Sequence, residues 1–211
     1  DAHPFTTDSL YGGVAGTVLA LMTLAEGTGD GRYADAARRG VRHLIDAAVE
    51  APDGLVWDVA WDDRQEQVHH ARYQGLYTGA AGIAWVLLTY GDAFDDAEAR
   101  AAGVRGLDAV VGAAKPRAGV ATGAFWEDGS LDVIAGSAGI VTALLDAWRT
   151  TGEERFRAAA VGGAEGLLAT AARDATGWSW PSRIGDDRIY GGFSHGVAGI
   201  GATLARTFVA T

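Results

Sequence analysis

With 211 residues, 48% of them hydrophobic and seven of them tryptophan, the chain is long enough to bury the core of one ordinary domain. Its formal charge of −10 argues against nucleic acid and anionic membrane as partners, since both reward a basic surface. The absence of cysteine excludes disulfides, thiolate metal ligands and cysteine nucleophiles within these residues.

Taken in order, the N-terminal DAHPFTTDSL lacks a basic stretch followed by an apolar one, so no secretory signal is expected, and a cytoplasmic protein is the default. A chain that starts with Asp reads as trimmed. Val14–Leu24 is apolar nearly all round, which predicts a helix buried on most sides. Gly27 and Gly29 suit its C-terminus, and Asp30 can cap the next helix. Arg32–Glu50 is amphipathic, with Tyr33, Ala37, Val41, Leu44 and Ala48 on one face, as an outer helix would be. The same pair recurs as Ala80–Thr89 with Ala97–Ala113, and as Ala138–Arg149 with Arg155–Arg173. Val197–Phe208 is a fourth inner helix. Asp53–Asp63, Gly119–Leu131 and Thr176–Gly192 connect the hairpins, and the alternation Leu55, Trp57, Val59, Trp61 suggests short strands. No stretch has the composition of an interdomain linker, and no run of about 20 apolar residues could span a bilayer.

Each inner helix opens on a glycine pair: YGGVAGT (Tyr11–Thr17), YTGAAGI (Tyr77–Ile83), IAGSAGI (Ile134–Ile140) and SHGVAGI (Ser194–Ile200). The first glycines, Gly13, Gly79, Gly136 and Gly196, lie 66, 57 and 60 residues apart. A period near 60 with alternating inner and outer helices predicts an all-α fold, an α/α toroid of which this single domain, residues 1–211, supplies about three and a half hairpins. A fourth inner helix without an outer partner reads as an excerpt of a longer array. Inner-helix N-termini gathered at one mouth would offer dipole ends and free N–H groups there.

Within this pattern the fourth copy alone places a histidine, His195, just before its first glycine, and a His can give or accept a proton near neutrality. Asp132 precedes the third copy, where an Asp also serves as a turn or cap residue. Trp178, Trp180 and Arg183 precede the fourth helix and, with Tyr77, are candidates to line a peptide groove, burial being the plainer role for Trp. His69 and His70 are adjacent, so on one element they point apart, and no third ligand lies near; His3 and His43 read as surface residues. Glu153-Glu154, Asp95-Asp96 and Asp186-Asp187 read as helix starts and turns, and the glycine pairs as sites of close packing.

Four glycine motifs in register, embedded in SLYGGVAG (Ser9–Gly16), GLYTGAAGIA (Gly75–Ala84), LDVIAGSAGIVTALL (Leu131–Leu145) and WSWPSR with GGFSHGVAGIG (within Trp178–Gly201), resemble the LanC-like family, the lanthionine synthetase C cyclases and cyclase domains of larger lanthipeptide synthetases. The resemblance spans essentially Ser9–Thr211. It implies a toroid of seven inner and seven outer helices. It further implies a zinc held by a cysteine in a W-C-x-G motif and a Cys-His pair in a C-H-G motif, and addition of a peptide cysteine thiol to dehydroalanine or dehydrobutyrine through an enolate that must be protonated. By motif position it marks Asp132 as the acidic residue near the metal and His195 as the candidate acid/base. This sequence holds neither zinc motif, so zinc is expected in the family while no metal ligand is expected in this chain. The implied partners are a precursor peptide and a fused or associated kinase or dehydratase. Three functions follow: a thioether-forming cyclase region, a non-catalytic LanC-like peptide- or thiol-binding protein, and a carbohydrate-active toroid, which would need carboxylate pairs.

Overall fold

The computed structural model describes residues 7–62, 68–127 and 129–211, of which 60–62 and 68–70 are described as backbone alone. Among the described residues seven α-helices take about half of the chain, and strands occur only as three short antiparallel pairs, so the expected all-α class holds. The helices are α1 (Val14–Thr28), α2 (Gly31–Asp46), α3 (Ala80–Ala93), α4 (Ala97–Gly112), α5 (Ser137–Thr151), α6 (Glu154–Ala169) and α7 (Val197–Ala210). They fall into two compact units, one of residues 1–73 and 78–109, the other of 74–77 and 110–211.

In the first unit α1 packs against α2 and α3. Gly29, in the left-handed region at φ 68°, ends α1 by donating its N–H to Ala25, and Asp30 caps α2 by accepting from the Arg32 N–H at 3.0 Å, as the sequence suggests. The backbones of α3 and α4 meet closely: a Cβ on Gly103 would stand 2.4 Å from the Leu88 nitrogen. α3 is buried along almost its whole length, whereas α1, equally apolar, buries only Ala15, Val18 and Met22. It is covered on one side by α2 and α3, and Leu24 is 43% exposed.

In the second unit α5 is the central helix, with Ile140, Val141, Leu144 and Leu145 fully buried, and α6 and α7 pack on it and on each other. An ion pair, Arg206 to Asp146 at 2.6 Å, links α7 to α5, and the buried Thr203 hydroxyl reaches the Ala138 carbonyl. Phe208 and Val209 at the end of α7 are about four-fifths exposed, at 82% and 80%.

Two of the outer helices end earlier than the amphipathic pattern predicts. α2 stops at Asp46 and α6 at Ala169, because the next residues enter hairpins: β1 (Val49–Ala51) with β2 (Gly54–Val56), and β5 (Ala172–Asp174) with β6 (Gly177–Ser179). Strands β3 (Val59–Asp62) and β4 (Val68–Ala71) form a further, separate antiparallel pair; Trp57, placed in a strand by the alternation, lies between β2 and β3 in the sequence. In the connector Gly119–Leu131 the pairing is reduced to isolated bridges, Lys115 with Phe125 and Ser130 with Arg183. Among the acidic pairs, Glu153 is the N-cap residue of α6, and Asp96 accepts the Ala99 N–H in the first turn of α4.

A second repeated signal emerges in these connectors. GLVW (Gly54–Trp57), GAFW (Gly123–Trp126) and GWSW (Gly177–Trp180) each set a tryptophan three residues after a glycine with positive φ. Trp57, Trp126 and Trp180 are at most 3% exposed. Their indole N–H groups donate at 2.7 Å to the carbonyls of Leu44, Val110 and Leu167, each the third residue from the end of its outer helix. The indole thus supplies a donor to a carbonyl in the last turn of the helix, where the helix itself runs out of donors; the Leu167 carbonyl also accepts from Thr170. The ring edge of Trp57 abuts Gly106 in α4, and that of Trp126 abuts Gly163 in α6, where an added Cβ would come within 2.8 and 2.9 Å. Both glycines are the tenth residue of their helix. Each of these tryptophans therefore ties the end of one outer helix to the middle of the next.

Replacing Trp126 by Phe keeps most of the packing but leaves the Val110 carbonyl buried without a donor. We expect a loss of about 1–3 kcal/mol, measured as a lower urea midpoint at unchanged slope. Trp178→Phe, at a 46% exposed position, should change stability by no more than about 0.5 kcal/mol; equal losses at both positions would refute the assignment.

Candidate functional site

The site is built on the segment that precedes each inner helix. Around each N-terminus this segment folds back so that a carbonyl seven residues upstream accepts the first helical N–H: Val14 to Thr7 at 2.9 Å, Ala80 to Tyr73 at 2.8 Å, Ser137 to Ser130 at 3.0 Å and Val197 to Tyr190 at 2.8 Å. The fold-back runs so close that a Cβ on Gly13 or Gly196 would stand 2.1 or 1.9 Å from the oxygen of Thr7 or Tyr190. A Cβ on Gly16, Gly139 or Gly199 would stand 2.2, 2.1 or 1.9 Å from the oxygen six residues before it. In the first, third and fourth copies the glycine pairs are therefore steric requirements of the loop. The first N–H of each inner helix is bonded to its own loop and is not open to a ligand.

In the second unit successive loops are themselves hydrogen bonded: the Tyr77 N–H donates to Ile134 at 2.9 Å, and the Val133 N–H to Ser194 at 3.1 Å. The second of these bonds lays the loop before α7 against the loop before α5 and brings His195 onto Asp132. His195 Nδ1 lies 2.7 Å from Asp132 Oδ2. The other carboxylate oxygen, Oδ1, accepts the N–H groups of Ala135 at 2.9 Å and Gly136 at 3.1 Å. Asp132 is thus fixed by its own backbone turn, with its side chain 7% exposed, while the imidazole is 56% exposed. An ionised carboxylate can only accept, so Nδ1 carries the proton in this contact and Nε2 is the nitrogen left for chemistry. The arrangement is an imidazole of defined tautomer on a rigid, buried acceptor, open to solvent on its other side.

The other expected residues are distributed around this pair. Tyr77, half-buried, is joined through its backbone to the Asp132 loop. Arg183 pairs by an antiparallel bridge with Ser130, two residues before Asp132, flanked by the bonds of Leu131 N–H to Ser182 and Ile184 N–H to Gly129. Trp178 is half-exposed in β6 under the Arg173 guanidinium, 4.0 Å from its ring centroid. Trp180, expected at the substrate, is 3% exposed, and its indole is bonded to Leu167; it belongs to the packed framework and presents no face to a ligand. The GxxW repeat is the signal in the sequence that separates Trp180 from Trp178. In the approach to the site, the Arg188 side chain and backbone N–H hold the Asp186 carboxyl below its usual range, closing a turn four residues before Tyr190.

His43, expected as a plain surface residue, has its Nε2 2.8 Å from Asp8 in the first unit and is about half exposed. His3 lies outside the described residues, as do the side chains of His69 and His70 in β4. No group of three or more His, Asp or Glu converges as a metal site among the described residues, and the chain contains no cysteine. The thiolates by which the resemblance implies zinc therefore have no counterpart here, and Asp132 and His195 are committed to each other. The described residues do not fit a thiolate-held zinc. No described helix is long and apolar enough to cross a membrane.

The sequence matches the family model described as lanthionine synthetase C-like protein over residues 4–208. A search of curated proteins gave no match.

Replacing Asp132 by Asn keeps an oxygen for the Ala135 and Gly136 N–H groups and turns an amide N–H toward His195. We expect the imidazole to change tautomer and carry its proton on Nε2. The ¹⁵N shifts of the ring at alkaline pH measure this, and an unchanged tautomer would mean that Asp132 does not set it.

Proposed function

Because the chain belongs to the lanthionine synthetase C-like family, we propose that its Asp132–His195 pair is the proton-transfer element of a thioether-forming cyclisation, in which a peptide cysteine thiol adds to a dehydroalanine or dehydrobutyrine. The observation that carries this reading is the 2.7 Å contact of Nδ1 with a buried, backbone-fixed carboxylate, which leaves Nε2 on the exposed side of the ring.

The addition needs one proton removed and one delivered. Nε2 of the neutral imidazole accepts the thiol proton. The sulfur forms a bond to Cβ of the dehydroamino acid as the Cα=Cβ π pair moves into the adjoining carbonyl as an enolate. The imidazolium then returns the proton from Nε2 to Cα, and the histidine is regenerated. Asp132 does not meet the reacting atoms in this scheme. It holds the ring in one tautomer and stabilises the imidazolium between the two transfers, as a carboxylate does for a catalytic histidine in general. The partner of Asp132 is an imidazole and not a second carboxylate, which favours addition chemistry over glycoside cleavage.

The precursor peptide is the proposed partner. Tyr77 and Arg183, attached to the two sides of the Asp132 loop, and the exposed Trp178 are proposed to contact it. The reaction places the protein after an enzyme that dehydrates serine or threonine, a kinase or dehydratase by chemical class. Any thiolate-bound zinc that assists the thiol is supplied by residues other than these, and the proposed location is the cytoplasm.

The test is a peptide carrying one dehydroalanine and one cysteine, with loss of alkylatable thiol followed by mass spectrometry. His195→Ala should slow ring formation by about 10²–10⁴-fold with the circular dichroism spectrum unchanged. A wild-type rate in that variant would remove His195 from the mechanism. Absence of turnover in the wild-type protein, with retained peptide binding, would favour the non-catalytic member of the family.

A further inference from the structure

The pair of Asp132 and His195 sits on a contact that the repeat makes elsewhere without any chemistry. Val133, the residue after Asp132, is 5% exposed, and its Cγ2 fills the space where a Cβ of Gly199 would stand, 2.6 Å from that ideal position. Gly199 follows His195 by four residues, one helical turn into α7. The Val133 N–H donates to Ser194, the residue before His195. The loop carrying Asp132 is therefore anchored at two points, by an apolar contact to α7 and by a polar one to the loop that carries His195, on either side of the Asp132–His195 contact. One repeat earlier, Leu76 occupies the corresponding notch of Gly139, 2.8 Å from an ideal Cβ, and the Tyr77 N–H donates to Ile134. There the positions equivalent to Asp132 and His195 hold Gly75 and Ala135.

We propose that Val133, seated in the Gly199 notch, is a positioning residue that sets the distance and angle at which Asp132 meets His195. The inference rests on the proton-transfer reading only for its consequence in catalysis, since the geometry it concerns is measurable without turnover. The side chain is short and β-branched, so it has one preferred rotamer with which to fill the notch and little freedom to let the loop slide. Van der Waals contacts of this kind fall off steeply with small gaps, so removing two methyl groups lets the Asp132 loop move relative to α7. A change of a few tenths of an ångström at 2.7 Å is enough to weaken a charge-assisted hydrogen bond. Leu76 performs the same packing where no dyad exists, so the purely structural contribution of such a contact can be measured separately.

The experiment is ¹⁵N spectroscopy of the imidazole of His195 in the full 211-residue chain, at alkaline pH where the ring is neutral. Wild type should show the Nδ1–H tautomer as the major form. Val133→Ala should lower the ratio of Nδ1–H to Nε2–H roughly tenfold. Val133→Thr, which preserves the β-branched shape, should restore the wild-type ratio, and Leu76→Ala should leave it unchanged while lowering the unfolding midpoint. Should Val133→Ala fail to fold, Val133→Ile, which overfills the notch, provides the same reading. An unchanged ratio in the Ala or Ile variant, or an equal change in Leu76→Ala, overturns the positioning role. In the peptide assay, Val133→Ala should lower kcat with little change in KM. A shifted tautomer with an unchanged kcat would leave the positioning inference standing and count against the proton-transfer reading.

Discussion

The structure depends on how closely a loop can approach the first turn of a helix. At each inner helix the preceding segment passes within bonding distance of the first free N–H, and glycine is the residue that leaves room for it. An alanine Cβ at Gly196 would lie 1.9 Å from a carbonyl oxygen, well inside any tolerable contact, so the loop and the helix could not coexist as they are. The same approach gives each loop a partner for its carbonyl and each helix a partner for its N–H. Two costs of ending a helix in a protein interior, an unpaired donor and an unpaired acceptor, are met by one contact.

This constraint places the chemistry. Because every loop follows the same path to its glycine, the residue four before the glycine and the residue immediately before it occupy fixed stations in each copy. Those stations hold Ser9 and Gly12, Gly75 and Thr78, Asp132 and Ala135, Gly192 and His195. In the second unit the loops before α5 and α7 are joined backbone to backbone, so the acidic station of the third copy meets the last station of the fourth. A dyad arises where an acid in one copy is followed by a histidine in the next. The repeat supplies the geometry in which Asp132 and His195 meet.

Much of this was legible in the sequence because it is periodic. The glycine pairs mark all four inner helices, and Asp30, Gly29, Asp96 and Glu153 act at helix ends as their residue types suggest. Asp132 and His195 were both legible as candidates, each by its odd place in the repeat. Their direct contact was not, since 63 residues separate them and no local pattern encodes which loop stations adjoin. Boundaries were less legible where a hairpin takes over from a helix: the apolar pattern runs on past α2 and α6, yet turns at Pro52-Asp53 and Ala175-Thr176 recruit their neighbourhoods into strands. Trp180 is ambiguous in the sequence because burial and ligand contact make the same demand on residue type, and in the structure it is buried. The GxxW spacing distinguishes them, for it places Trp180 in register with Trp57 and Trp126, whose indoles close outer-helix carbonyls.

The division of labour between these elements bears on why a side chain carries the chemistry. Helix N-termini commonly bind anions through free N–H groups, and an enolate is an anion. Here the first N–H of α7 is held by Tyr190, and the corresponding donors of α1, α3 and α5 are held in the same way. The backbone at these positions is committed to the scaffold, as the core tryptophans are. What the loop before α7 presents outward is the free nitrogen of His195, backed by a carboxylate that two backbone N–H groups already fix. A rigid acceptor behind an exposed imidazole suits proton transfer, in which the group must change charge twice per turnover while its position stays constant. The frame is stiff because glycine allows it to be, and the stiffness lets a half-exposed histidine keep one tautomer.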